Sequence, residues 1–200
     1  MGGRLRVGPR RAPPLILLAV AVVRWRVMAA DNVVLVGFMG AGKSVCGRML
    51  ARRLGRCFVE TDDMIVSRDG RSIPEIFRED GEDAFRRLEA ESLEALKLKS
   101  GDVIATGGGL PCRDGRMDAL RALGTVVWLR GDLAVLLERA ARIGGRPMLE
   151  RSPAEIEALY RARERYYARA HVTVETAGLG VDQVVARVMA ALRETHAARV

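Results

Sequence analysis

Residues 37–44 spell a complete phosphate-binding loop, Gly37-Phe38-Met39-Gly40-Ala41-Gly42-Lys43-Ser44. The residues before it, 33–36, form an apolar, mostly β-branched run typical of a buried parallel strand. The residues after it, 45–54, have helical spacing and place Val45, Met49 and Leu50 on one apolar face. This order of strand, glycine loop and helix predicts a nucleoside triphosphate site. An ordinary glycine-rich turn, the alternative, would not need every fixed position of the motif.

Each part of this loop has its own task in binding a polyphosphate. The glycines let backbone N–H groups turn inward at the positive end of the following helix. Lys43 can reach the β- and γ-phosphates, which makes it a candidate catalytic residue, and the Ser44 hydroxyl can ligate Mg²⁺. The predicted nucleotide-binding residues of the loop are Gly40, Ala41, Gly42, Lys43, Ser44 and Val45.

The charge of the chain is unevenly distributed. Of its 33 Lys and Arg residues, six arginines lie in residues 1–30, where no acidic residue occurs. The other 170 residues hold 27 basic and 25 acidic residues, so the formal charge of +8 falls to +2 for this body. A nearly balanced body of this size predicts a single domain at 31–200 and gives no support for a nucleic-acid partner.

The first thirty residues differ from the rest in composition. Their apolar run, 15–23, is too short to cross a bilayer, and Arg24 and Arg26 follow it where a signal peptide would have small residues. We expect residues 1–30 to be a disordered or artefactual extension, with Met28 as an alternative start. A targeting role is the other interpretation. No membrane partner is expected.

The cysteines and histidines give no sign of a disulfide or a zinc site. Cys46, Cys57 and Cys112 are odd in number and lack paired spacing, and the two histidines lack ligand spacing. Free thiols are typical of a reducing compartment, so we expect a cytoplasmic protein.

Short apolar runs alternate with amphipathic stretches along the chain, which predicts an α/β fold with a parallel sheet. The predicted strands are 33–37, 57–60, 103–105, 125–129 and 172–175, and the predicted helices are near 43–54, 62–68, 74–98, 114–123, 132–141, 153–169 and 181–195. Two segments stand outside this alternation. Residues 61–98 suit a lobe that binds an acceptor, and the arginine-rich loop 142–152 suits a mobile lid or, equally, an ordinary solvated loop.

Among nucleotide-binding enzymes, a small-molecule kinase fits the sequence best. Asn32 is the sole asparagine and is followed by Val33, so the Asn-Lys-x-Asp motif of guanine recognition is absent. Asp62 follows the second predicted strand, where ligands collect in an open α/β sheet, and its carboxylate can orient or deprotonate an acceptor hydroxyl. Capping of the next helix is its alternative role. Glu60 could hold Mg²⁺ through a water molecule.

Two further features point to an anionic acceptor. Gly107, Gly108 and Gly109 follow the third strand, where glycines allow a substrate to approach backbone N–H groups closely; a tight turn is the alternative. Arg86 lies beside the apolar stripe of the long helix, and Glu89, three residues on, could fix its guanidinium.

Taken together, these motifs resemble those of the shikimate kinase family over about residues 33–193. They are the loop 37–44, Thr61-Asp62, Gly70-Arg71-Ser72-Ile73 with Ile76-Phe77, Gly81-Glu82 with Phe85-Arg86 and Glu89, Thr106 with the three glycines, Arg146-Pro147, and Arg163 before Tyr167. The resemblance implies a three-layer fold of the P-loop NTPase type, with sheet order 2-3-1-4-5, a helical substrate lobe and a lid. It also implies a monomer that phosphorylates shikimate from ATP and Mg²⁺, on the path to chorismate and the aromatic amino acids.

The resemblance assigns roles to residues that match the family motifs. Asp62 would hold the ring hydroxyls and orient or deprotonate the attacking one. Arg86 and Arg163 would bind the carboxylate, and Gly108 and Gly109, with Gly107, would offer backbone N–H groups to the substrate.

Two arginines would serve the nucleotide. Arg146, in the lid, would close on the transferring phosphate as a catalytic residue, and Arg139 resembles the family arginine that lies against adenine.

The chain departs from the family pattern at two places. Glu60 stands where Asp is usual, and Arg165 stands where proline is common. Two alternative functions are a kinase for another polyol acid such as gluconate, and a nucleotide-binding module without turnover.

Overall fold

The computed structural model describes residues 31–143 and 151–198. In that part of the chain the strands are β1 (Asn32–Val36), β2 (Phe58–Glu60), β3 (Val103–Ala105), β4 (Gly124–Arg130) and β5 (Val172–Glu175). The helices are α1 (Lys43–Leu54), α2 (Thr61–Asp69), α3 (Ile73–Leu96), α4 (Arg116–Leu123), α5 (Leu133–Ile143), α6 (Pro153–Tyr167) and α7 (Val181–Ala197). Every predicted strand and helix is present, with ends that move by a few residues.

The strands form one parallel sheet in the order β2-β3-β1-β4-β5, as the family resemblance implied. β1 is central, with Val34 opposite Ile104 on one side and Val126 on the other. All five of its residues are buried. Because successive side chains of a strand point to opposite faces, this burial requires helices on both faces of the sheet, which is the predicted three-layer arrangement.

The apolar face predicted for α1 is wrong at Val45, which is 52% exposed. The buried face consists of Cys46, Gly47, Leu50 and Ala51, so the prediction is right at Leu50. A Cβ added at Gly47 would lie 2.4 Å from the ring of Phe58, so the helix meets the sheet at a residue without a side chain. The hydrophobic pattern missed Gly47 because glycine contributes nothing to it.

The long helix of the substrate lobe is interrupted. Gly81 has φ 76° and ψ −178°, so α3 consists of two helical pieces where continuous helix was predicted for 74–98. Ser72 begins the first piece with a capping box, in which the Ser72 side chain accepts from Glu75 and the Glu75 carboxylate accepts from Ser72. The lobe has its own small core, made of Ile65, Ile76 and Phe85 with Ile73 and Leu88 packed against them.

Several predicted features lie outside the described residues. They are the extension 1–30 and most of the loop 142–152, including Arg146. Within the described ranges no helix is both long and apolar enough to cross a membrane.

Candidate active site

The carboxyl ends of three neighbouring strands form the candidate site. The phosphate-binding loop follows β1, Asp62 follows β2, and Gly107–Gly109 follow β3. Since β3 lies between β2 and β1, the glycine run lies between the other two segments. All three segments therefore lie at one edge of the sheet, where the ligands of an open α/β sheet collect.

The phosphate-binding loop is held in shape by its glycines and by helix α5. Gly40 and Gly42 have φ of 76° and 84°, which other residues rarely adopt. A Cβ at Gly40 would come within 1.9 Å of the Leu136 carbonyl oxygen, so any side chain there would push the loop away from α5. The Lys43 ammonium donates to the carbonyl oxygens of Gly37, at 2.8 Å, and Phe38, at 3.1 Å. Its charge therefore lies over the loop, as phosphate binding requires.

Ser44 and Glu60 contact each other directly. The Ser44 hydroxyl donates to Glu60 Oε1, and the guanidinium of Arg48 lies 3.5 Å from Glu60 Oε2. The sequence placed both residues near Mg²⁺ without predicting this contact. A hydroxyl and a carboxylate side by side form the hard oxygen donor set that Mg²⁺ prefers.

Asp62 is a half-buried residue whose buried Oδ1 is directed at the glycine run. Its Oδ1 lies 2.5 Å from the position of a Cβ on Gly107, and this oxygen accepts no hydrogen bond from the described residues. Burial raises the pKa of Asp62 above 3.8; the charge of Lys43 opposes this shift, and Glu89 and Glu60 add to it. Helix α2 begins at Thr61 with Glu60 as its N-cap, so the alternative role of Asp62 as the capping residue is wrong.

Arg86 and Arg163 converge on Gly109. A Cβ at Gly109 would lie 2.9 Å from Arg86 Nη1 and 3.3 Å from Arg163 Nη2. Arg86 donates to Glu89 from Nη1 at 2.8 Å and to Glu82 from Nε and Nη2, at 3.0 and 2.8 Å. The prediction that Glu89 fixes Arg86 is confirmed by this contact. Although burial lowers the pKa of Arg86, the hydrogen bonds and charges of Glu89 and Glu82 outweigh it and raise the pKa.

Helix α6 contacts the glycine run through Tyr167 and the phosphate-binding loop through Arg163. The Tyr167 hydroxyl, fully buried, donates to the Gly108 carbonyl oxygen at 2.6 Å. The guanidinium of Arg163 lies 5.7 Å from the centre of the Phe38 ring, which belongs to the phosphate-binding loop. The Cys112 thiol donates to the same Gly108 oxygen at 3.5 Å, and burial raises its pKa. A protonated thiol is a weak nucleophile, so these contacts give Cys112 a structural role rather than a catalytic one.

Arg139 lies on α5 beside the loop rather than at the acceptor end. It donates to the side-chain and backbone oxygens of Thr176, at 3.4 and 3.2 Å. Its charge is close enough to oppose the burial of Cys46 in the helix that follows the loop.

The sequence profile of a family described as shikimate kinase matches residues 39–193, more than half of the chain. The chain belongs to the shikimate kinase family.

Individual relatives agree with this membership. A shikimate kinase of Geobacter sulfurreducens is 46% identical over 165 residues, which cover 82% of this chain and 91% of that protein. Among solved structures, a shikimate kinase from Acinetobacter baumannii in complex with shikimate aligns with a TM-score of 0.80 and 32% identity, covering 86% of this chain and 98% of the other. A gluconokinase from Sinorhizobium meliloti, at 20% identity and a TM-score of 0.57 (84% and 94% coverage), is similar in fold alone.

Sequence reasoning missed two side chains of this shikimate kinase family site. Tyr167 was noted only as a motif position, yet its hydroxyl fixes Gly108. Arg116 was not noted, although it donates to buried Glu89 at 3.1 Å. Nothing in the sequence could have found Arg116, because it lies 27 residues from Glu89 and only the fold brings the two together.

Proposed function

We propose that this chain transfers the γ-phosphate of ATP to the 3-hydroxyl of shikimate, giving shikimate 3-phosphate and ADP. The observation that carries the proposal is the convergence of Arg86 and Arg163 at Gly109, beside the carboxylate of Asp62 at Gly107. Gly107 and Gly109 are two residues apart, so their Cα atoms lie within about 7 Å of each other. That spacing suits a compact hydroxy acid with its carboxylate at one end and hydroxyls at the other.

We propose that the site binds the acceptor both at its carboxylate and at its hydroxyls. Arg86 uses one N–H of each terminal nitrogen on Glu89 and Glu82, and each of these nitrogens carries a second N–H for a carboxylate. Arg163 adds a second guanidinium, and planar guanidinium groups bind carboxylates at two points. At the other end, Asp62 accepts from the acceptor hydroxyls through an oxygen that no described residue already occupies.

Asp62 is also the proposed base or orienting group for the attacking hydroxyl. Its raised pKa makes it a better proton acceptor once ionised, and its place beside Gly107 directs the attacking oxygen toward the phosphate-binding loop. Lys43 supplies positive charge over that loop, where the β- and γ-phosphates bind.

The residues present fit Mg²⁺ and ATP. Ser44 would ligate Mg²⁺ directly, and Glu60, which already contacts the Ser44 hydroxyl, would hold it through water. When bound, the ion neutralises charge that develops on the phosphates. We propose that the loop residues 40–45 bind the phosphates, that Arg139 lies along the adenine side, and that Arg146 acts from the lid. The longer Glu60 in place of Asp is accommodated, because its carboxylate reaches Ser44.

We further propose that the enzyme acts as a monomeric domain, residues 31–200, on a small molecule in the cytoplasm. The nearly neutral body supports a small-molecule partner over nucleic acid. Within the domain, residues 61–98 would be the acceptor lobe and 142–152 the lid.

The test is ADP release by purified protein with Mg-ATP, measured with shikimate, with gluconate and without acceptor. Release that requires shikimate is the expected result. Release with gluconate alone would assign the acceptor site to another acid. Tight ATP binding with no release for either acid would favour a nucleotide-binding module.

A further inference from the structure

Glu89 is a buried carboxylate that accepts from two arginines. Its side chain is 2% exposed, and its Oε2 accepts from Arg86 Nη1 at 2.8 Å and from Arg116 Nη1 at 3.1 Å. An isolated buried carboxylate is strongly unfavourable, so both partners matter for its placement. Glu89 is three residues from Arg86 on the same helix, whereas Arg116 reaches it from another part of the fold.

Arg116 joins the acceptor lobe to the end of the sheet. It is the first residue of α4, directly after the loop that carries the glycine run. Its second terminal nitrogen, Nη2, donates to the Arg86 backbone carbonyl oxygen at 3.0 Å. One guanidinium thus contacts both the backbone of Arg86 and the carboxylate that holds the Arg86 side chain. Only 14% of the Arg116 side chain is exposed, so solvent screens these contacts weakly.

We propose that Arg116 is a positioning residue for the acceptor carboxylate site, acting through Arg86. It brings a second positive charge to Glu89 Oε2 and fixes the α3 backbone at Arg86. The terminal N–H groups of Arg86 then remain directed at Gly109 and do not all turn toward Glu89. This inference rests on the proposed function, because it needs a carboxylate acceptor at Gly109.

Loss of Arg116 should therefore weaken acceptor binding selectively. Without it, Glu89 has Arg86 as its remaining arginine, and the attraction of Arg86 to Glu89 competes with its attraction to the acceptor. The phosphate-binding loop and Asp62 keep their own contacts. We expect the KM for shikimate to rise about 10-fold in Arg116→Met, equivalent to about 1.4 kcal/mol, with the KM for ATP unchanged and kcat within about 3-fold.

Arg113 provides a matched control on the same loop. Its side chain is 47% exposed and lies 3.7 Å from Glu82, an exposed pair of the kind that contributes little. Arg113→Met makes the same chemical change as Arg116→Met, and it should leave both KM values within about 2-fold of the parent.

The experiment measures kcat and both KM values for the parent, R116M, R113M, R86K and the double variant R86K/R116M. If Arg116 acts through Arg86, R116M should add less than about 2-fold to the shikimate KM of R86K, although it adds about 10-fold to that of the parent. A merely structural arginine would add the same factor in both backgrounds and would change the ATP KM as well.

Two results would overturn the inference in an active parent. One is a shikimate KM in R116M within about 2-fold of the parent, and the other is full additivity with R86K. If R116M does not fold, R116Q is held to the same criteria, and failure of both to fold would show a structural role and overturn the inference. A parent without shikimate-dependent ADP release would overturn the proposed function first, which is a distinct result.

Discussion

Replacing Asp62 with Asn should make the enzyme both less active and more stable. Asp62 Oδ1 is buried and accepts no hydrogen bond from the described residues, and burial raises the pKa of the carboxyl. A raised pKa means that the ionised form is less favourable in the folded protein than in the unfolded chain, despite the attraction of Lys43. Asn keeps the shape and removes the charge. The substitution should therefore relieve a folding penalty and remove the acceptor's base or orienting group together.

The sizes of the change in Tm and of the loss in turnover can both be estimated. Each unit by which folding raises the pKa of a carboxyl costs about 1.4 kcal/mol of stability at a pH above that pKa, and each kcal/mol moves the Tm of a protein of this length by about 2–4 °C. We expect Asp62→Asn to raise the Tm by at least about 2 °C at neutral pH. Loss of a positioned base or orienting group costs typically 10²–10⁴-fold, so turnover should fall at least about 100-fold while ATP affinity stays largely intact.

The difference in stability between Asp62→Asn and the parent should also change with pH, and the direction of that change is fixed by the raised pKa. Below the ordinary Asp pKa, near 3.8, the carboxyl is protonated in both the folded and unfolded states, and parent and variant should be equally stable. As pH rises from that value through the raised pKa of the folded protein, the parent alone acquires the penalty. The stability advantage of Asp62→Asn should thus grow as the pH rises above about 4, measured by urea unfolding at each pH.

The matched control is Asp63→Asn at the neighbouring exposed position, which should resemble the parent in turnover and Tm. Turnover of Asp62→Asn within about 10-fold of the parent would refute the role in acceptor orientation. A Tm below that of the parent, with Asp63→Asn unchanged, would refute the argument that the buried charge is unfavourable.

The remaining predictions concern the residues proposed to bind the acceptor carboxylate and the cysteine thiols. Arg86→Lys should raise the KM for shikimate by about 10-fold and leave the KM for ATP unchanged in steady-state assays, because one ammonium cannot replace a two-point guanidinium. Gly109→Ala should raise the same KM at least as much, since its Cβ would lie 2.9 Å from Arg86 and 3.3 Å from Arg163; an unchanged KM would place the carboxylate elsewhere. Burial raises the pKa of the Cys46 thiol to about 11, so a thiol reagent at neutral pH should label exposed Cys57 well before Cys46, as peptide mapping would show.

Much of the fold followed from local sequence signals. The central strand was predictable because its residues are apolar and mostly β-branched, and its burial is complete. The phosphate-binding loop was predictable because its fixed residues are required by backbone geometry rather than by packing. The strand order came from the family resemblance, since alternation of strands and helices predicts a parallel sheet without giving the order of its strands.

The errors arose where glycine hides information from a hydrophobic pattern. Gly47 packs closest to Phe58, yet it carries no apolar side chain, so the pattern assigned the buried face of α1 to Val45. Gly81 interrupts α3 although the residues on both sides have helical spacing. A lone glycine inside a helical pattern is compatible with a continuous helix and with an interrupted one, and the packing of the lobe decides which of them forms.

The contacts of Arg116 could not be read from the sequence for a different reason. Its partners, Glu89 and the backbone of Arg86, lie on a helix that precedes β3, while Arg116 follows it. Charge patterning along a helix detects pairs three or four residues apart, such as Arg86 and Glu89, and no longer-range pairs. Contacts between distant segments depend on how the sheet brings their loops together.

The strand order itself explains why the acceptor must be small. In the order β2-β3-β1, the loop with Asp62, the glycine run and the phosphate-binding loop lie in that sequence across the edge of the sheet. Neighbouring strands are about 4.8 Å apart, so about 10 Å separates the strand before Asp62 from the strand before the phosphates. In the proposed site, a substrate held by Asp62, by the glycine run and by Arg86 must fit within that width and still present a hydroxyl to the γ-phosphate. A single six-membered ring bearing a carboxylate and hydroxyls meets this requirement, whereas a larger acceptor would displace Arg86 and Arg163 from Gly109.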